Sequence, residues 1–175
     1  MRSFFLSPGR FDAPENKILS NIVTKRVIAC FVDADSYNGA YNKTPFNFGH
    51  MNIKECYLDV GGRTIPSRSM NLDFQGDRYL QAYLNMHEGL GYGRSGTSNG
   101  ITRDMFKNGF AFFVFEIASS MDTDSFDLIQ LGTTSLRTTF NQAIPAPGVF
   151  CILHCEYDSI MHIDSDRVAH VDALM

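Results

Sequence analysis

The sequence predicts an all-β protein: an antiparallel jelly-roll sandwich of about eight strands, with one helix and one or two short helical turns set in its loops. Three observations predict it. Short apolar runs rich in β-branched and aromatic residues recur along the chain, separated by turn-forming clusters. Strands dominate and do not alternate regularly with helices, which argues against a doubly wound α/β fold. The aromatic load is 15 Phe and 7 Tyr with no Trp, and Phe and Tyr favour pleated, half-buried surfaces.

Each element follows in order. Residues 1–21 are interrupted by Pro8, Gly9, Pro14 and Asn16 and read as an N-terminal arm or linker. The jelly-roll domain is expected over 22–164, and 165–175 reads as a polar, loosely held C-terminal tail. Residues 22–33 are the first strong strand, ending in the turn-forming cluster 33–39. Residues 41–51 carry Pro45, Gly49 and three aromatics and read as a structured loop. In 53–60, Ile53, Glu55, Tyr57 and Asp59 fall on one face and Lys54, Cys56, Leu58 and Val60 on the other. Gly61-Gly62 then predicts a two-residue hairpin into Arg63-Thr64-Ile65, because that turn needs positive φ. Residues 69–74 suit a further short strand.

Leu80, Tyr83, Leu84 and His87 recur at helical spacing within 77–88, and Gly89 stands where a C-terminal cap would. Residues 89–100 are a long Gly-rich loop. Thr102 suits the cap of a single helical turn through Lys107, closed by Gly109. Residues 110–117 form a dense apolar run, short enough for a strand buried on both faces. A short helix is expected over 124–131, capped by Asp124 and stopped by Gly132. Residues 133–140 are a Thr-rich strand, 144–148 a sharp break and 149–157 a strand, with 159–163 continuing after a turn or bulge.

Composition excludes several classes of function. Hydrophobic residues make up 44% of the chain and charged residues 19%, with a net charge of −4. Fifteen basic residues are scattered, and Lys25-Arg26 is their one adjacent pair. No specific nucleic-acid binding is expected, since that needs clustered Lys and Arg. No apolar stretch approaches the ~20 residues that span a bilayer. The opening run Phe4-Phe5-Leu6 is too short for a secretory signal. A soluble protein made in the cytosol is therefore expected, with no membrane insertion. Of the four cysteines, Cys151 and Cys155 would share a strand face roughly 13 Å apart at ~3.3 Å per residue, too far for a disulfide. Cys30 and Cys56 complete a set that reads as buried free thiols.

Two constellations could carry chemistry. The apolar strand ending in Asp33-Ala34-Asp35 resembles the metal-holding strand end of metal-dependent glycosyltransferases and of haloacid-dehalogenase-type phosphatases. Both families need a parallel βαβ scaffold that the rest of the chain does not offer. Turn chemistry alone also accounts for the Asp, Ser and Asn at that place. His154 and Glu156 are two apart on a strand and share a face, and His162 could join them, but a metal needs three or four converging ligands. Gly89-x-Gly91-x-Gly93 lacks the Gly-Lys-Ser/Thr of a phosphate cradle. No catalytic, metal or cofactor residue is assigned, and the chain is not expected to be an enzyme.

A set of segments carries a resemblance. They are Arg-Val-Ile-Ala-Cys-Phe-Val-Asp-Ala-Asp-Ser-Tyr-Asn-Gly at 26–39, Asn-Lys-Thr-Pro-Phe-Asn-Phe-Gly-His at 42–50 and Tyr-Leu-Asp-Val-Gly-Gly at 57–62. Next come Asn-Gly-Ile-Thr-Arg at 99–103, Gly-Phe-Ala-Phe-Phe-Val-Phe-Glu at 109–116 and Glu-Tyr-Asp-Ser-Ile-Met-His-Ile-Asp at 156–164. In order and spacing, 24–163 resembles the C-terminal jelly roll of the hexon-type double-jelly-roll major capsid proteins of Maverick/Polinton elements and adintovirus-like viruses. The resemblance implies a structural virion protein, with three chains forming a pseudo-hexagonal capsomer that tiles an icosahedral shell. It implies self-association as a homotrimer, interface or tower loops at 33–52 and 89–109, and no catalytic residues. The N-terminal jelly roll of such a protein is not expected here, since only about twenty residues precede the matching part, and a host-retained jelly-roll binding module that does not assemble stays open beside the capsid reading.

Overall fold

Alternation in the longest strands decides where the core lies. In β3 (Arg26–Asp33), Val27, Ala29 and Phe31 are buried, and in β8 (Val149–Glu156) so are Val149, Cys151 and Leu153. The two strands pair antiparallel with Ala29 opposite Leu153 and Phe31 opposite Cys151, so both sets face the same way. The computed structural model describes residues 1–13, 16–19, 24–93, 96–117, 132–157 and 160–172.

Around that pair, β1 (Arg2–Leu6) flanks β8 and β6 (Phe113–Glu116) flanks β3, giving the sheet order β1-β8-β3-β6. The second sheet runs β2-β7-β4-β5, from β2 (Asn16–Leu19), β7 (Thr134–Phe140), β4 (Ile53–Val60) and β5 (Arg63–Ile65). Every pairing is antiparallel. The partners β1–β8, β2–β7, β3–β6 and β4–β5 are those of a hairpin ribbon rolled once around a sandwich, which is the jelly roll. Inward residues of both sheets form one core, in which the Phe31 ring meets Phe113 at 6.0 Å and Phe140 at 6.1 Å, both edge to face.

The expected arm over 1–21 is corrected. Arg2–Leu6 pairs with 149–153, and Asn16–Leu19 pairs with β7, so this stretch supplies the first strand of each sheet. The expected tail is corrected too. Beyond β8 the chain forms a separate antiparallel hairpin, β9 (Ile160–Ile163) with β10 (Ala169–Asp172). Its turn is ordered by Asp164, whose Oδ1 accepts from the backbone N–H of Asp166 and Val168 at 2.9 Å each. Residues 69–74 are not a strand; Asp73 only bridges Arg78. The helix expected over 124–131 lies outside the described residues.

Local chemistry accounts for the rest. Gly61 and Gly62 sit at φ 57° and 85°, the two positive values the tight β4–β5 turn requires. A register shift between Ile53 and Glu55 in β4 switches its phase: Ile53 is buried with Cys56, Leu58 and Val60, while Lys54 is exposed. Asp33 caps the short helix α1 (Ala34–Tyr37), its Oδ1 accepting from the Asp35 N–H at 2.9 Å. Thr102 caps α3 (Arg103–Lys107) by accepting from the Met105 N–H at 3.2 Å. Helix α2 (Leu80–Gly89) ends one residue later than expected, with Gly91 rather than Gly89 at positive φ. Gly89 is needed for a different reason: a Cβ there would lie 2.6 Å from Cγ1 of Val114 on β6. The helix end thus lies directly on the sheet.

The roll brings the connections 7–13, 34–52, 66–93 with 96–112, and 141–148 to one end of the sandwich. They are knitted by backbone hydrogen bonds. Gly9 donates to Ile144 at 2.8 Å, Phe48 to Gly109 at 2.8 Å, Asn141 to Asn52 at 2.9 Å and Ala34 to Gly148 at 3.0 Å.

Candidate functional site

The residues with chemical potential are engaged within the fold. Lys43 Nζ lies 3.0 Å from Asp33 Oδ1 and 3.1 Å from Asp35 Oδ2, where a cation holding both carboxylates would sit. Burial alone would raise the Asp33 pKa, but the hydrogen bonds from Lys43 and the Asp35 N–H outweigh it and hold the carboxyl below its ordinary range. Asp-x-Asp therefore serves as a helix cap and an ion-pair partner. His154 and Glu156 are on one face as expected, yet Nε2 and Oε1 are 4.0 Å apart. Glu156 is instead held by Arg26 at 2.9 Å, and Arg26 also donates to the Gly89 carbonyl at 2.8 Å, tying the end of α2 to the first sheet. His162 stacks on His170 across the β9–β10 hairpin, ring centroids 5.1 Å apart. Among the described residues no group of three or more His, Cys, Asp or Glu is placed to hold a metal.

The thiols are free. Cys30, Cys56 and Cys151 are buried and Cys155 is half-buried. Burial raises Cys30 and Cys56 to about 12 each and Cys151 well above its ordinary value, so none of these three is a nucleophile.

The fold also leaves large apolar side chains exposed. On the outer face of the first sheet, Phe5 of β1 stands opposite Phe150 of β8, rings 5.3 Å apart. Tyr37 of α1 stacks on Phe150 at 4.0 Å and 15°, and its hydroxyl lies 3.0 Å from Ser3 Oγ. Phe5 is 47% exposed and Tyr37 40%. Gly148 makes room for this seat: a Cβ there would fall 2.5 Å from the Phe5 ring. Tyr41 and Phe46 project from the β3–β4 loop. On the hairpin, Met161 and Ile163 share a face and are 61% and 62% exposed, with Val168 exposed near them. Sequence reasoning missed the aromatic seat, because Phe5 lay in the supposed arm. The pairing of Phe5 with Phe150 is invisible to local spacing.

These features define the class: a single jelly-roll sandwich with organised end loops and exposed apolar faces. A Caenorhabditis elegans protein described as "Uncharacterized protein F54H12.2" is 35% identical over 178 residues, covering all of this chain and 42% of the relative. The chain thus spans less than half the length of the curated relative it matches. No family model and no solved structure matches it. Among the described residues no helix is long and apolar enough to cross a membrane.

Proposed function

We propose that the chain is an assembly module, a jelly roll that associates with copies of itself as the C-terminal roll of a Maverick/Polinton-type major capsid protein does in a trimeric capsomer. On this reading its place is the virion and its mechanism is geometric. The sandwich holds loops and faces rigidly, and apolar contact between copies supplies the association energy. One observation carries the reading: the closed roll leaves apolar surface outside its core, in the Phe5–Phe150–Tyr37 seat and on the Met161/Ile163 hairpin face. Such surface on a soluble domain marks contact sites. A two-stranded hairpin, marginal alone in water, is further stabilised when its apolar face is covered. The resemblance of 24–163 to that family supplies the particular partner, a second and third copy.

The test is mass in solution by light scattering across a dilution series. The intact chain should approach a trimer at high concentration and dissociate on dilution. Met161→Asp combined with Ile163→Asp should keep the β-sheet circular-dichroism spectrum, shift the curve to monomer and leave a thermal midpoint that no longer rises with concentration. A chain that stays monomeric at its highest attainable concentration would sink the proposal.

A further inference from the structure

At the loop end three of the connections line an open cleft of about 570 Å³, through Asn47 and 49–52, through Gln75 and 107–109, and through Gln142, Ala143 and Pro145. A second recess of about 260 Å³ adjoins it and shares Asn52, Gln75 and Gln142. Together they fall in the size range of small-ligand sites, roughly 300–1,000 Å³. Side-chain amides are the most numerous polar groups in the lining. Asn47, Asn52, Gln75, Asn108 and Gln142 face the larger cleft, and Asn71 and Asn141 the smaller.

One of these amides is incompletely satisfied. Asn52 is 8% exposed, and its Oδ1 is buried without a hydrogen-bond partner among the described residues. A buried carbonyl oxygen left so is costly, and a group in a native fold that stays so calls for an explanation. The position is held deliberately. Asn52 has φ 55° and the preceding Met51 φ 45°, a left-handed pair that a bulky side chain rarely adopts. The Asn52 backbone is fastened on both sides: its N–H donates to His50 Nδ1 at 2.9 Å, and its carbonyl accepts from the Asn141 N–H at 2.9 Å. His50 is therefore the neutral tautomer, carrying its proton on Nε2. Gly109 lets Asn47 into the wall, since a Cβ there would lie 2.6 Å from Asn47 Oδ1.

The charges at the site are already neutralised. Lys107 is held by Asp77, and Arg78 is held by Asp73 at 2.9 Å. An anionic ligand would have to compete with those carboxylates. Amides offer a donor and an acceptor in one plane at no net charge, the pattern that adjacent hydroxyls satisfy. The apolar side chains in the larger cleft are Met51, Ala143 and Pro145, with no Leu, Ile, Val or Phe among them. We propose that this amide-lined cleft binds a neutral, polyhydroxylated ligand, a glycan, with Asn52 and Gln142 as its principal contacts. The inference stands independently of self-association.

The experiment is calorimetric titration of the purified chain with maltose, lactose and N,N′-diacetylchitobiose, and with sodium sulfate as the anionic arm. Asn52→Gly removes the amide while tolerating the backbone angle, and Gln142→Ala removes an exposed one. Saturable binding of at least one saccharide is expected, weakened by about tenfold or more in each variant, as when a ligand hydroxyl loses its partner. Should Asn52→Gly not fold, Gln142→Ala alone decides. Heat from sulfate only, no binding of any saccharide, or saccharide affinity unchanged in the folded variants would overturn the proposal.

Discussion

At the scale of single residues, position in the packing decides consequence. Phe113 is buried between Phe31 and Phe106, with ring centroids at 6.0 and 6.2 Å. Phe113→Ala should cost about 3–5 kcal/mol in urea unfolding. Phe113→Asp, which buries a charge with no counterion, should yield no soluble protein. Asp33 is the contrast. Asp33→Ala loses a cap on a short helix and one link to Lys43, which should cost about 1 kcal/mol and leave the fold intact. Acid titration distinguishes two groups. Burial, and secondarily the Lys107 charge, lowers the His50 pKa from its ordinary 6.5. The unfolded chain then binds this proton more readily, so stability is full above about pH 6.5 and falls as the pH drops below it. The depressed Asp33 carboxyl acts lower: its contribution is present above its ordinary 3.8 and disappears as pH falls through its folded value. His50→Gln should abolish the first step in a series of urea midpoints taken at descending pH and leave the second.

At the scale of elements, turns and close approaches set the limits. The β4–β5 hairpin depends on two consecutive positive φ values, and Asp59 Oδ1 accepts from the Gly62 N–H at 3.0 Å. Gly62→Ala should destabilise by about 1 kcal/mol, measured by chemical denaturation. A larger residue at Gly89 has a different effect. It would push α2 off Val114 and pull the Gly89 carbonyl from Arg26. Gly89→Leu should therefore loosen the helix while the sheets persist, seen as faster amide exchange confined to 80–90.

At the scale of the whole molecule, the roll determines access. Its connections 34–52, 96–112 and 141–148 gather at one end, its aromatic seat lies on the outer face of one sheet, and its hairpin belongs to neither sheet. Buried thiols make the interior chemically quiet. Thiol labelling at pH 8 should leave Cys30, Cys56 and Cys151 unmodified in the native protein and modify all of them in urea, since all three are buried with raised pKa values. Rapid native labelling of Cys151 would show that the sandwich opens.

The local record in the chain was enough for much of this architecture. The β-branched and Thr-rich runs of β3, β7 and β8, the Gly61-Gly62 turn and the Thr102 cap all follow from neighbouring residues, because strand propensity and turn geometry are short-range properties. The helix over 80–89 was legible for the same reason. Long-range pairing was not. Arg2–Leu6 became a strand because an open edge at 149–153 awaited it, and residues 160–172 closed on themselves through Asp164. The fate of Asp33 and Asp35 likewise depended on Lys43 folding back from the following loop. The amide cleft lay beyond sequence reading altogether. Its walls come from three separate connections, and only the wrapping of the ribbon places Asn47, Asn52, Gln75 and Gln142 around one volume. Contacts between distant segments are a property of the closed surface, and no local spacing encodes them.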